Sequence, residues 1–171
     1  MSILDAAVLF PLSVNVSVED VVVNDTTVTI LATAETAEAS CPACGGVSRR
    51  VHSHYQRVIR DPAVGGRSTM IELRVRRFFC DVVDCVKKTF AEQVAGLTTR
   101  HGRHSVAARR VLLAVALALG GRAGQRLTGW LSLTTGRMSL LRLIRAIPDA
   151  KIATPTVLGV DLSRPWDYPE V

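Results

Sequence analysis

The chain has 171 residues, 48% of them apolar and 21% charged, with a net charge of +6. That apolar share is enough to bury a core and excludes an intrinsically disordered chain, and the length allows one compact domain or two small ones. The longest apolar run, residues 111–119, is about half of what a membrane span requires, so no membrane segment is expected.

The charge is unevenly placed. Residues 1–46 contain six acids and no Lys or Arg, whereas residues 47–145 contain nineteen Lys and Arg against five acids. Such a concentration is the electrostatic footprint of a chain that lies along phosphates, although arginine-rich composition alone does not decide it. The first fourteen residues carry Asp5 and no basic residue, so they lack the pattern of a secretory leader, and a cytoplasmic location is expected.

In chain order, residues 18–23 and 26–32 are β-branched runs around Asn24-Asp25, which predicts a hairpin. Next comes Cys41-Pro42-Ala43-Cys44, answered forty residues later by Cys80 and Cys85. Two close thiolate pairs are what a tetrahedral structural zinc needs, so Cys41, Cys44, Cys80 and Cys85 are the expected ligands. Disulfides would need an oxidising compartment. A redox Cys-x-x-Cys would leave Cys80 and Cys85 without a role. Iron also accepts four thiolates, but the spacing is not that of a cluster, which favours zinc.

Between the cysteine pairs, residues 48–59 and 68–79 read as strands separated by a turn over residues 61–66, where Pro62 and Gly65-Gly66 punctuate the chain. A hairpin with a cysteine pair at each end brings both pairs to one metal, the logic of a zinc ribbon. Residues 88–94 suggest one more short strand. Arg49, Arg50, Arg76 and Arg77 lie near enough in sequence to offset the charge of four thiolates or to face phosphate.

From His101 the pattern becomes helical. Ser105 can cap a helix over residues 106–119 that stops at Gly120-Gly121; a second helix over 122–131 and a third over 135–147, closed by Pro148, follow. Three short helices with tight links predict a helix-turn-helix, whose last helix would present Ser139, Arg142 and Arg145 to a groove. An ordinary solvated helix face in a small bundle is the alternative. His52, His54, His101 and His104 are expected at the surface or in strands rather than on the metal, and Trp130 is expected as a core anchor. Residues 155–161 read as a linker entering a strand that ends at Asp161; Asp167 and Glu170 read as solvated tail acids.

Several separated motifs occur together: Cys-Pro-x-Cys-Gly at 41–45, Val-His-Ser-His-Tyr-x-Arg at 51–57, Arg60-Asp61-Pro62, Gly65-Gly66-Arg67, the run from Leu73 to Cys80, Cys85 with residues 88–92, and Leu158-Gly159-Val160-Asp161. In this order they resemble the N-terminal part of the ISL-three family of bacterial insertion-sequence transposases, over roughly residues 40–161. The resemblance implies a zinc-binding domain and a helix-turn-helix that recognise terminal inverted repeats, then an RNase H-like domain with an Asp-Asp-Glu triad whose first acid would be Asp161 and whose intact form would hold Mg²⁺. The segment Leu162-Ser163-Arg164-Pro165-Trp166 does not continue the family's pattern, and the second and third acids are absent.

The expected fold is therefore α+β: an N-terminal β-rich segment (1–39), a β-hairpin zinc ribbon (40–97), a small helical helix-turn-helix unit (98–149), and a linker with the first strand of an incomplete RNase H-like domain (150–171). The expected function is zinc-dependent binding of double-stranded transposon ends in DNA transposition, without catalysis by this truncated chain alone. Expected DNA contacts are Arg49, Arg50, Arg57, Arg74, Arg76, Arg77, Arg137, Ser139, Arg142 and Arg145. Expected partners are DNA and either a homo-oligomer or an intact transposase. The alternatives are a zinc-stabilised protein-interaction module and a fragment active only by complementation.

Overall fold

β-Branched and aromatic residues alternating with polar ones dominate the first half of the chain, and they build a sheet with one apolar face. The computed structural model describes residues 15–148; Asp161 and the rest of the 150–171 segment lie outside the described residues. Strands β1 (Val16–Val23) and β2 (Thr27–Ala34) form the expected hairpin, closed by the Asn24 N–H donating to the Thr27 carbonyl at 2.8 Å. Two short strands, β3 (Ala39–Ser40) and β4 (Val47–Ser48), pair on either side of the first cysteine pair. Long strands β5 (Val51–Val64) and β6 (Arg67–Phe79) form the second hairpin, and β7 (Thr89–Ala91) adds to the end of β6.

The strand order is β1-β2-β6-β5, with β2 parallel to β6 from Thr27↔Ser68 to Thr33↔Arg74. The acidic N-terminal segment and the ribbon hairpin thus share one sheet. Period-two alternation sends Val28, Ile30, Ala32 and Ala34 of β2, Ile71, Leu73 and Val75 of β6 and Ile59 of β5 to one face, where Val94 and Leu97 from the following loop cover them. The opposite face is polar, with Gln56 donating to Glu72 at 2.6 Å and Thr33 donating to Glu19.

The second hairpin turns more tightly than the 61–66 loop expected from sequence. Only Gly65 and Gly66 lie between the strands, both at positive φ (57° and 74°), as a two-residue hairpin turn demands. Pro62 sits instead within β5, where the register shifts between Asp61 and Val64. An edge strand at a bulge tolerates the missing N–H.

Helix α1 spans Val106–Trp130 and α2 spans Arg137–Arg145. Ser105 caps α1 as expected, its Oγ accepting from the Ala108 N–H at 2.9 Å. Gly120 breaks α1 with φ 67° and ψ −155°, which divides it where the glycine pair predicts a stop. In a straight helix, residues nine apart are separated by about 13.5 Å along the axis. Here a Cβ placed on Gly124 would stand 3.4 Å from Val115 Cγ1, so the chain folds back at Gly120. The same Cβ would be 3.0 Å from Leu140 Cδ1, and one on Gly121 only 2.6 Å from Arg137 Cγ. The two glycines give α2 its close approach.

A second core forms from Ala108, Leu112, Ala116, Leu133 and Leu140, flanked by Val111, Leu143 and Ile144. Trp130 is not part of it. The expectation of a core anchor is corrected: Trp130 is 88% exposed, at the last position of α1, because Leu133 and Leu140 fill the space under the turn. Strand β5 ties the sheet to the helices: the Arg60 N–H donates to the Arg103 carbonyl, the Ser105 N–H to the Arg60 carbonyl (both 2.9 Å), and Ser105 Oγ to Asp61. Among the described residues no helix is long and apolar enough to cross a membrane.

Candidate metal centre and basic surfaces

Each cysteine pair is set by local backbone geometry. At the first, the Cys41 N–H donates to the Gly46 carbonyl and the Gly45 N–H to the Cys41 carbonyl, both at 2.8 Å, with Gly45 at φ 74°. The second is closed by the Cys85 N–H to the Val82 carbonyl at 3.2 Å and by Cys80 N–H to Lys88 carbonyl at 2.8 Å. The knuckles meet closely enough that a Cβ on Gly46 would lie 2.8 Å from Val82 Cγ2.

Cys41 and Cys85 are buried with Phe78 and Phe90, whose rings stack at 6.1 Å, while Cys44 is exposed. All four sulfurs lie within 4.8 Å of one another; Cys41 to Cys85 is 3.8 Å and Cys44 to Cys80 is 3.6 Å. A tetrahedron with Zn–S bonds of about 2.3 Å has S···S edges of about 3.8 Å, whereas a disulfide needs about 2.05 Å. The spacing is that of ligands around one ion. No histidine enters the cluster, as expected from sequence.

The electrostatics of the thiols point the same way. Burial raises the Cys41 thiol, but the N–H groups of Ala43 and Cys44 outweigh it and leave the pKa lowered to about 6. At Cys80 the Val82 N–H works downward, yet burial and the three neighbouring sulfurs drive the thiol up to about 12. Cys44 is also raised, the Gly46 N–H being outweighed by burial and Cys85. One thiolate forms readily and its neighbours then resist ionising; a divalent cation removes that repulsion.

Residues 37–85 match the family model for the zinc-finger of transposase IS204/IS1001/IS1096/IS1165. The match ends on Cys85 and takes in all four cysteines. The chain thus carries a transposase-type zinc finger, and its four thiolates form a structural Zn²⁺ site. No curated protein and no solved structure matches the chain.

The arginines expected to contact DNA separate into two groups. Arg76 is internal: its guanidinium donates to Glu92 Oε2 at 3.2 Å and to the Thr36 carbonyl, and Glu92, 1% exposed, also accepts from Thr36 Oγ1. Arg57 braces a turn by donating to the carbonyls of Thr99 and Gly102, both at 3.1 Å. Arg50 pairs with Asp81 at 2.8 Å and Arg49 with Glu38 at 2.8 Å. Asp81 also accepts from Ser48 at 2.7 Å, and Ser48 and Arg50 together hold its carboxyl below the usual range, fastening the second knuckle to the strand after the first.

In contrast, Arg74, Arg77, Arg137, Arg142 and Arg145 are exposed and have no carboxylate partner among the described residues. Ser139 is exposed on α2 beside the last three.

Sequence reasoning missed Glu92 and Asp61. Glu92 is the one acid between Cys85 and Pro148, and a lone acid in so basic a stretch is a signal that it is paired inside the fold. Asp61 has its carboxyl raised by burial, partly offset by the Ser105 hydrogen bond. Nothing in the linear pattern marks it, because its partner is forty-four positions away.

Proposed function

We propose that this chain is the DNA-binding part of a transposase, in which the zinc finger and the helical unit together recognise terminal inverted repeats during DNA transposition in a bacterial cytoplasm. The observation that carries this reading is the match of residues 37–85 to a transposase zinc finger, including the complete ligand set. Zinc acts structurally here: it fixes the two knuckles and so the direction in which the ribbon hairpin leaves them.

In the proposal, the second arm of α1, the turn over residues 131–136 and α2 act as a helix-turn-helix, with Arg142 and Ser139 facing base edges and Arg137 and Arg145 facing phosphates. Support comes from the exposure of those four side chains and from the absence of a described carboxylate that would occupy them. Arg77 adds a phosphate contact on one face of β6 and Arg74 one on the other. Arg49, Arg50 and Arg76, each paired with a carboxylate, act mainly in holding the fold. Catalysis by this chain alone forms no part of the proposal, and a transposition assay with Mg²⁺ is expected to give no strand transfer.

The test is a salt-titrated binding assay of the zinc-loaded chain on a duplex from the element ends flanking its gene, beside a scrambled duplex. Preference for the end sequence that persists as salt rises supports the reading; equal binding to both leaves a basic surface without recognition. Arg142→Ala is expected to lower the preference by about 1–3 kcal/mol, the range for one bidentate Arg–guanine contact, and an unchanged preference removes that assignment.

One observation favours a second reading, a protein-interaction module. Trp130 is 88% exposed, and Leu127 and Leu131 beside it and Leu117 on the first arm of α1 are exposed too. A second copy or an intact transposase would cover them. Sedimentation of the chain with and without Trp130→Ser separates the two readings.

A further inference from the structure

A cleft of about 500 Å³ opens beside the zinc finger, between β5, the end of β6, β7 and the loop that follows it. Its walls carry Arg57, Arg77, Lys87, Arg100, His101 and Tyr55, and no Asp or Glu. The hollow on the opposite sheet face, by comparison, contains Glu19 and Glu72. Arg57, Arg77, Lys87 and Arg100 are cations facing one small space. Gathering like charges around one space raises the local positive potential and favours a bound anion.

The cleft is built rather than incidental. Arg57 is fixed by the carbonyls of Thr99 and Gly102, which are neutral and leave its charge uncompensated. Those carbonyls belong to a tight turn, Gly102 N–H to Thr99 carbonyl at 2.9 Å, that sets Arg100 and His101 over the cleft. His101 takes φ 57°, a left-handed conformation that this turn imposes and that His adopts more readily than most side-chain-bearing residues. At the opposite wall the Arg77 guanidinium lies 5.8 Å from the centre of the Tyr55 ring. An aromatic face beside fixed cations is the arrangement that seats a base and its phosphate.

A cleft of this volume cannot enclose a double helix and suits a single small ligand. We infer that this cleft seats one unpaired nucleotide of a DNA strand, with the base against Tyr55 and the phosphate among Arg57, Arg77, Lys87 and Arg100. Resting on the reading of the chain as a DNA-binding part of a transposase, it names the partner of the zinc-finger end: a strand that has left the duplex, while the helical unit holds the paired part.

The experiment compares the zinc-loaded full chain on a blunt duplex and on the same duplex with a short oligothymidine overhang, by fluorescence anisotropy. The overhang is expected to tighten binding about tenfold, the contribution of stacking one base on an aromatic ring with its phosphate paired. Arg100→Ala and Tyr55→Ala are expected to remove that gain and leave blunt-duplex binding unchanged, and Tyr55→Phe to keep it. A 5-iododeoxyuridine in the overhang is expected to cross-link to Tyr55. Equal affinity for the two duplexes, or an Arg100→Ala variant that loses affinity for both alike, overturns the inference and leaves the duplex-binding proposal standing. Failure to bind either duplex overturns both.

Discussion

The zinc-finger end and the helical unit use their positive charge in opposite ways. Around the knuckles Arg50, Arg76 and Arg49 each meet a carboxylate, at 2.8 to 3.2 Å, and Arg57 meets two carbonyls. On α2, Arg137, Arg142 and Arg145 meet none among the described residues. A small sheet end with few apolar side chains needs a metal and ion pairs to hold it, whereas the helices close over five buried apolar residues and leave their cations outside. An arginine count therefore overstates the surface open to phosphate at Arg49, Arg50 and Arg76 and not on the last helix.

The most severe way to break the contrast is to remove zinc. Chelation withdraws a binding free energy of about 10–16 kcal/mol in comparable small sites, and Cys41→Ser weakens the same site by removing one of its four ligands. Hydrogen exchange is expected to show loss of protection over residues 39–48 and 78–91, with residues 106–145 still protected, because the helical core shares no residue with the cysteine cluster. Loss of protection throughout would mean that the two ends do not fold separately. Acid has the same effect as the chelator, since protons compete with the metal for thiolates.

Next in size is the internal pair. Glu92→Ala removes a buried carboxylate from the partly exposed Arg76 and is expected to lower stability by about 3 kcal/mol, the low end of the range for breaking a buried pair. Glu38→Ala, which breaks an exposed pair with Arg49, should change stability by no more than about 1 kcal/mol. Urea unfolding of both variants measures the difference; similar values would mean that Arg76 finds another acceptor.

Ser105→Ala probes the junction of the two regions. It removes the α1 cap and the partner of Asp61, at an expected cost of about 1 kcal/mol for the cap, read as a lower Tm with the zinc content unchanged.

Smallest is Asp61→Asn. Burial raises the Asp61 pKa above the ordinary 3.8, so between 3.8 and its raised folded value the native state binds more protons than the unfolded chain. Falling pH through that window then favours the fold, and the penalty of an ionised buried carboxyl is greatest above it. Asn keeps an acceptor for Ser105 without the charge. The variant is expected to melt slightly higher than the parent at neutral pH, with the gap closing as pH approaches 4. A gap that widens on acidification would reverse the sign assigned to Asp61.

Much of the fold was legible in the chain. Cysteine spacing marked the metal ligands, β-branched alternation marked both hairpins, and Ser105 with Gly120-Gly121 marked the start and break of α1, because each signal lies within a few residues of the structure it produces. Pro62 and Trp130 were misplaced for the opposite reason. A proline suits a turn or an edge-strand bulge equally well, and only the pairing of β5 with β6 chose the bulge. A tryptophan's large apolar surface suits a core or an exposed contact site, and only the packing of the helices, with Leu133 and Leu140 inside, left Trp130 outside.

The same division holds for the site. Sequence alone determined which sulfurs bind zinc and where the positive charge accumulates, since both depend on residue type and near spacing. Tertiary structure decided that β2 runs parallel to β6 and that Arg76 faces Glu92. It also decided that Tyr55, Arg77 and Arg100 line one acid-free cleft. Those outcomes join residues sixteen to forty-five positions apart, and no local preference encodes a contact made only when the sheet and its loops close.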